Sequence, residues 1–167
     1  MTASDQTIFP SRPPCSKVRV PGKVILSGEH AVVYGTPALA CAIQKYAFAK
    51  VVSIDIEGVH LIVPAFGIDQ HFSHGQLTQL AHQTQSRHQK FLQDSALLCL
   101  VIESPAQFFA AALGASGLAV LLADQPGIAI ELTMDLVAGG GMGSSAALVA
   151  AMLAAAFKHI GKPLTAA

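Results

Sequence analysis

The stretch Gly139-Gly140-Gly141-Met142-Gly143-Ser144-Ser145 decides how the chain is read. Before it, Gly127 to Thr133 alternates apolar and polar residues, the pattern of a half-buried strand. After it, Ser144 to Ile160 is a sustained apolar, alanine-rich run ended by Gly161, the pattern of a helix with a glycine stop. Strand, glycine loop and helix therefore follow one another. Glycines admit positive φ and let a ligand approach the backbone closely. A helix starting at Ser144 turns its free amides and the positive end of its dipole toward the loop, which suits an anion. Ser144 and Ser145 add hydroxyls where a phosphate oxygen or a magnesium ion would lie. Taken alone, the stretch supports two readings: a phosphate cradle, or a glycine-rich turn before a tightly packed helix. It is neither a Walker A loop, since no Gly-Lys-Ser/Thr follows, nor the Rossmann spacing.

Upstream, Ser104 with Pro105 reads as a capped helix start running through Ala112 or beyond. Gly75 to Leu92 places Leu77, Leu80, Thr84, His88 and Phe91 at helical steps on an otherwise polar run, an amphipathic surface helix. It is expected to run on into the apolar Ala96–Ile102. The first third reads as strands: Lys17–Val20, then Lys23–Leu26 after a Pro21-Gly22 turn, a buried strand over Ala38–Ile43, and an alternating strand over Ala47–Ile56. Gly58 turns the last of these into a returning hairpin strand, His60–Val63. Pro163-Leu164-Thr165 looks like the entry to another helix. Strands first, helices gathered later, and one late strand feeding the loop predict an α+β domain.

The chain has 167 residues, enough for one domain with a real core. Ten Lys and Arg balance ten Asp and Glu, so no broad face attracts a polyanion and no nucleic-acid partner is expected. Charged residues make up only 12%. Two runs without formal charge, Ser104–Ala123 (20 residues) and Leu136–Phe157 (22 residues), are long enough to span a bilayer. Pro105, the alanine content of the first run and the glycine break in the second argue for buried helices instead, because a break facing lipid strands backbone polar groups. Cys15, Cys41 and Cys99 are odd in number and far apart, which reads as reduced thiols in the cytoplasm, with Cys99 in the core. Residues 1–16 are polar and proline-rich without a signal-peptide pattern, and are expected to be a flexible lead-in. His71-x-x-His74, with no Cys or carboxylate cluster beside it, reads as ordinary histidines and not a zinc site.

A second motif lies near the N-terminus: Val20-Pro21-Gly22-Lys23-Val24-Ile25-Leu26-Ser27-Gly28-Glu29-His30-Ala31-Val32-Val33-Tyr34-Gly35. It resembles the first motif of the GHMP kinases, and Gly28 to Tyr34 is most like the mevalonate kinase branch. The loop Ala138-Gly139-Gly140-Gly141-Met142-Gly143-Ser144-Ser145-Ala146-Ala147 is similar to that family's Pro-x-Gly-x-Gly-Leu-Gly-Ser-Ser-Ala phosphate loop, with Ala138 in place of proline and Met142 in place of leucine. The resemblance implies that residues 17–167 form the family's N-terminal domain, a two-layer sheet and helices with an uncommon left-handed βαβ crossover.

It further implies ATP and Mg2+ as cofactors, and transfer of a phosphoryl group to the primary hydroxyl of mevalonate. Chemistry of this kind depends on positioning and charge neutralisation. Gly139, Gly140, Gly141, Met142, Gly143, Ser144 and Ser145 would hold the ATP phosphates, with Ser145 the metal ligand. Lys23 would be the catalytic residue beside the acceptor hydroxyl, and Glu29 and His30 would line the substrate pocket; without the resemblance, Lys23 reads as a solvated turn residue. Mevalonate is the expected small-molecule partner, a homodimer is allowed, and neither nucleic acid nor membrane is expected. The family's second magnesium carboxylate and aspartate base lie beyond the loop helix, yet no Asp or Glu follows Asp135. We therefore expect the N-terminal part of a longer kinase, interrupted at residue 167 with the C-terminal domain absent. By itself it should show little or no kinase activity, weakened ATP binding and a tendency to associate through uncovered apolar surface. The rival reading is a non-catalytic nucleotide- or partner-binding domain; phosphomevalonate kinase and homoserine kinase are the enzymatic alternatives.

Overall fold

The computed structural model describes residues 15–93, 102–123 and 125–162. Five strands, β1 (Ser16–Ser27), β2 (Leu39–Ile54), β3 (Val59–Val63), β4 (Ile68–Phe72) and β5 (Gly127–Met134), form one sheet in the order β1-β2-β5-β3-β4. All neighbouring pairs are antiparallel except β3 and β5, which run parallel. Four helices accompany them: α1 (His74–Gln93), α2 (Pro105–Ala115), the single turn α3 (Leu118–Leu121) and α4 (Ser144–His159). The arrangement is the mixed α+β architecture that the order of elements predicts.

The inner face of the sheet carries Ala47, Ala49 and Val51 on β2, Val59, Leu61 and Val63 on β3, and Ile128, Ile130 and Leu132 on β5, all buried. Period-two alternation puts the charged residues of the same strands, such as Lys50 and Glu131, on the outer face. Against the inner face pack Phe109 and Leu113 of α2 and Leu148, Ala151, Met152 and Ala155 of α4. The alanine content of α4 has a steric purpose. Ala147, Ala151 and Ala155 recur every four residues and are buried, and α4 lies across β1 and β2, whose inward positions include Ala47 and Ala49. Small residues on both elements let helix and sheet approach closely. No helix among the described residues is long and apolar enough to cross a membrane.

The structure departs from the sequence expectations at four places. Ser16 is not part of a flexible lead-in: it opens β1 and is 1% exposed. The two short strands expected on either side of Pro21-Gly22 are one strand, with a register shift between Pro21 and Lys23 absorbing the irregularity. Of residues 38–43, those from Leu39 on are a strand but not a buried one. β5 pairs with β2 only from Ala47 onward, so the first half of β2 projects with the second half of β1 as a two-stranded arm, and Leu39 is 62% exposed. Last, β3 does not return along β2. β5 inserts between them, and the hairpin partner of β3 is β4, paired Val59 to Phe72 through Val63 to Ile68. The expected lead-in over residues 1–14, the extension of α1 toward Ala96–Ile102 except for Ile102, the core position of Cys99 and the helix entry at Pro163 lie outside the described residues.

Both α1 and α2 begin with a serine cap and a glutamine three residues on. Ser73 Oγ accepts from the Gln76 amide at 3.3 Å while Gln76 Oε1 accepts from the Ser73 amide at 2.8 Å, a complete capping box. Ser104 Oγ accepts from the Gln107 amide at 3.2 Å, with Pro105 in the first turn as the sequence predicts.

Candidate functional site

The glycine loop leaves β5 at Met134 and enters α4 at Ser144. Its first residues are fastened to the sheet. The Asp135 amide donates to the Tyr46 carbonyl at 3.0 Å, and Asp135 Oδ1 accepts from the Tyr46 amide in return. The last acidic residue of the chain is thus a structural clasp between β5 and β2. Leu136 follows, buried, and the chain then turns outward.

Gly139, Gly141 and Gly143 have φ of 73°, 69° and 67°, the left-handed region that side chains with a Cβ rarely enter. Alternation of these with ordinary residues curls the backbone so that successive amides face one concavity. Among the described residues, the amides of Gly141, Met142, Gly143, Ser144, Ser145 and Ala146 donate to no acceptor; the first helical bond of α4 is from Ala147 to the Gly143 carbonyl at 2.9 Å. The hydroxyls of Ser144 and Ser145 are likewise without a partner there. Unpaired amides, a helix N-terminus and two free hydroxyls on one short loop form an anion cradle.

β1 closes one side of this loop. The Lys23 amide donates to the Met142 carbonyl at 3.0 Å. Gly22 is buried against the same loop, so tightly that a Cβ built on it would stand 2.4 Å from Leu136 Cδ2 and 2.9 Å from the Met142 oxygen. The Lys23 side chain runs along Gly143, where a Cβ would meet Lys23 Cγ at 3.0 Å and Cε at 3.2 Å. The two motifs, more than a hundred residues apart in sequence, therefore share one contact. The lysine is exposed and makes no side-chain hydrogen bond or ion pair among the described residues, so its charge is available to whatever the loop holds.

Glu29 and His30 are placed less informatively. They stand exposed in the turn after β1, and neither side chain has a hydrogen bond or ion pair among the described residues. On the other side of the loop, Ser145 borders a cavity of about 390 Å3 lined also by Phe66, Phe108, Phe109 and the segment Ile102–Pro105, which includes Glu103. His71 is held by the Glu57 carbonyl at 2.7 Å and His60 by Asp69 at 2.6 Å, both on the β3–β4 hairpin.

Comparison with known proteins bears on what this loop belongs to. Residues 101–167 match the sequence profile of the GHMP kinases N terminal domain. A mevalonate kinase of Methanothermobacter thermautotrophicus is 29% identical over 147 residues, covering 88% of this chain and 37% of the relative. That of Pyrococcus furiosus is 32% identical over 153 residues, covering 87% and 39%. By these matches residues 101–167 are similar to the GHMP kinases N terminal domain, and most of the chain is similar to mevalonate kinases. The fold agrees: the crystal structure of the Methanococcus jannaschii mevalonate kinase superposes with a TM-score of 0.65 at 20% identity, over 93% of this chain and 43% of that one. The chain spans about two fifths of the length of the curated relatives it matches.

Proposed function

We propose that this domain holds the nucleotide half of a mevalonate kinase, which moves the γ-phosphoryl group of ATP to the primary hydroxyl of mevalonate in the cytoplasm. The observation that carries the reading is the junction of Lys23 with Met142 and Gly143: it sets an unpaired cation beside a concavity of unpaired amides. Phosphoryl transfer needs little more from a protein than position and neutralised charge. In this reading the amides of residues 139–144 take the phosphate oxygens. Lys23 stabilises the charge that develops as the acceptor hydroxyl attacks, and Glu29 and His30 contact the acceptor.

Magnesium suits the same loop through Ser145. Among the described residues no group of three or more His, Cys, Asp and Glu side chains could hold a metal. Mg2+ commonly takes one or two protein ligands and completes its shell with phosphate oxygens and water. A hydroxyl at the second position of α4 beside bound phosphates meets that requirement; the ion's contribution is to neutralise phosphate charge. The assembly we assign is a monomer or homodimer acting on a small molecule, with no nucleic-acid or membrane partner.

A second reading has its own support. Asp135, the acidic residue just before the loop, is engaged with the Tyr46 amide, which leaves it unavailable as a base. In this reading the domain binds nucleotide without catalysis of its own. Titration of the chain with ATP and Mg2+, followed by an assay of ADP release with and without mevalonate, tests both. Binding of ATP without mevalonate-dependent release is the result expected of the isolated 167-residue chain. Absence of ATP binding overturns both readings, and measurable release overturns the assignment of the missing base to another part of the protein.

A further inference from the structure

The cavity beside Ser145 has a wall and a handle. Phe66, Phe108 and Phe109 make the wall: Phe108 and Phe109 meet edge-on with centroids 5.3 Å apart, and Phe66 lies 6.1 Å from Phe109. Glu103, the charged residue among the described lining residues, is the handle. Two partners fix it. One carboxylate oxygen lies 2.6 Å from Nη1 of Arg87, which reaches across from α1. Its backbone amide donates to Gln107 Oε1 at 2.6 Å, and the Gln107 amide in turn is capped by Ser104.

A carboxylate paired with a guanidinium at one oxygen still has a second oxygen that accepts hydrogen bonds. That oxygen is a good partner for hydroxyl donors. A flat aromatic wall, a hydrogen-bond acceptor and an adjoining anion cradle together describe a nucleoside phosphate. Base and sugar would lie along the cavity, and phosphates on the loop.

We propose that Glu103 accepts hydrogen bonds from the ribose hydroxyls of the nucleotide whose phosphates rest on residues 139–145. Glu103 is then a specificity-determining residue that favours ribonucleotide over deoxyribonucleotide, and Arg87 is the positioning residue that aims it. The inference rests on the phosphate-loop reading above. It is distinct from the bland role of this ion pair, a tie between α1 and the start of α2.

The test is calorimetric titration of the 167-residue chain with three probes: inorganic tripolyphosphate, ATP and 2′-deoxy-ATP. ATP should bind about tenfold more tightly than 2′-deoxy-ATP, the loss typical of one hydrogen bond to a charged acceptor. Glu103→Ala should bring the two nucleotides to within about twofold of each other and leave tripolyphosphate binding as it was. Arg87→Ala should lower the preference and Arg87→Lys restore part of it, a pattern that loss of a structural tie alone does not produce. Equal affinity of the unaltered chain for both nucleotides overturns the proposal, as does a preference that survives Glu103→Ala in protein whose circular dichroism is unchanged. Failure of tripolyphosphate to bind has a different meaning: it removes the phosphate-loop reading, and this inference with it.

Discussion

The amide of Lys23 and the carbonyl of Met142 are joined at 3.0 Å, which ties the first of two register shifts in β1 to the middle of the glycine loop. The bond explains why β1 shifts register between Pro21 and Lys23: Lys23 pairs forward with Ala42 on β2 while its own amide turns to the loop. A regular strand would put that donor elsewhere. The loop, for its part, has few internal bonds, the Gly140 amide to the Val137 carbonyl at 3.2 Å being one, and depends on β1 for its shape.

Gly22→Ala tests that dependence. The added methyl would stand 2.4 Å from Leu136 Cδ2 and 2.9 Å from the Met142 oxygen, and the second of these is backbone that cannot rotate away. Overpacking of this kind costs about 1–3 kcal/mol. Urea unfolding should show a lower midpoint with an unchanged slope, and tripolyphosphate affinity should fall as the loop is pushed off β1. A variant as stable and as competent as the parent would mean that the loop is not shaped by this contact.

Ser145→Ala separates chemistry from stability. The hydroxyl is exposed and has no partner among the described residues, so its loss should change the unfolding free energy by no more than about 0.5 kcal/mol. With Mg2+ present, ATP affinity should drop about tenfold, the effect of one lost ligand to a charged centre. Without Mg2+ the drop should be much smaller. Equal losses in both conditions would remove the metal-ligand assignment.

Much of this was legible in the chain itself, for a physical reason. Glycine repeats and a Ser-Ser pair before an apolar helical run can be recognised locally, and so can the Ser104-Pro105 start of α2. What sequence order does not reveal is which strands lie side by side. The turn at Gly58 predicts His60–Val63 as a strand returning along β2, the usual hairpin connection. The insertion of β5 is a long-range choice, made by the continuous apolar face of Ile128, Ile130 and Leu132. β4 has no readable signature, since Asp69, Gln70 and His71 carry no β signal between Ile68 and Phe72. Glu103 has one local signal in the sequence, its place immediately before the capped helix start at Ser104. Ser73 with Gln76 was a readable capping box, and the predicted start at Gly75 fell one residue late.

Ser73→Ala should show what that box contributes. It removes the acceptor for the Gln76 amide and keeps the reciprocal bond, which runs from the backbone amide of residue 73 to Gln76 Oε1. Loss of a serine cap costs about 1 kcal/mol. A fall of that size in unfolding free energy is expected, with tripolyphosphate affinity unchanged because α1 does not touch the loop. Fast hydrogen exchange confined to the first turn of α1 would locate the effect; exchange spread over the whole domain would show that the cap governs more than its helix.

The far end of α4 offers a contrasting case. His159 is fully buried, and its Nε2 lies 3.0 Å from Ser53 Oγ on β2, so the helix that presents Ser144 and Ser145 at one end is pinned to the sheet at the other. His159→Ala removes both the packing and the hydrogen bond, and a cost of about 2–4 kcal/mol is expected from large-to-small replacement in a core. Ser53→Ala removes only the bond, because Ser53 itself is exposed and its loss opens no cavity. The double-mutant cycle should return a coupling of about 0.5–1.5 kcal/mol, the net value of one internal hydrogen bond. Both variants should bind tripolyphosphate as the parent does at temperatures where they remain folded, since the pin sits at the end of α4 opposite the loop. A coupling near zero would show that the bond to Ser53 is not what makes His159 stabilising. A loss of affinity without loss of fold would show instead that α4 transmits its C-terminal anchorage to the phosphate cradle as a rigid rod.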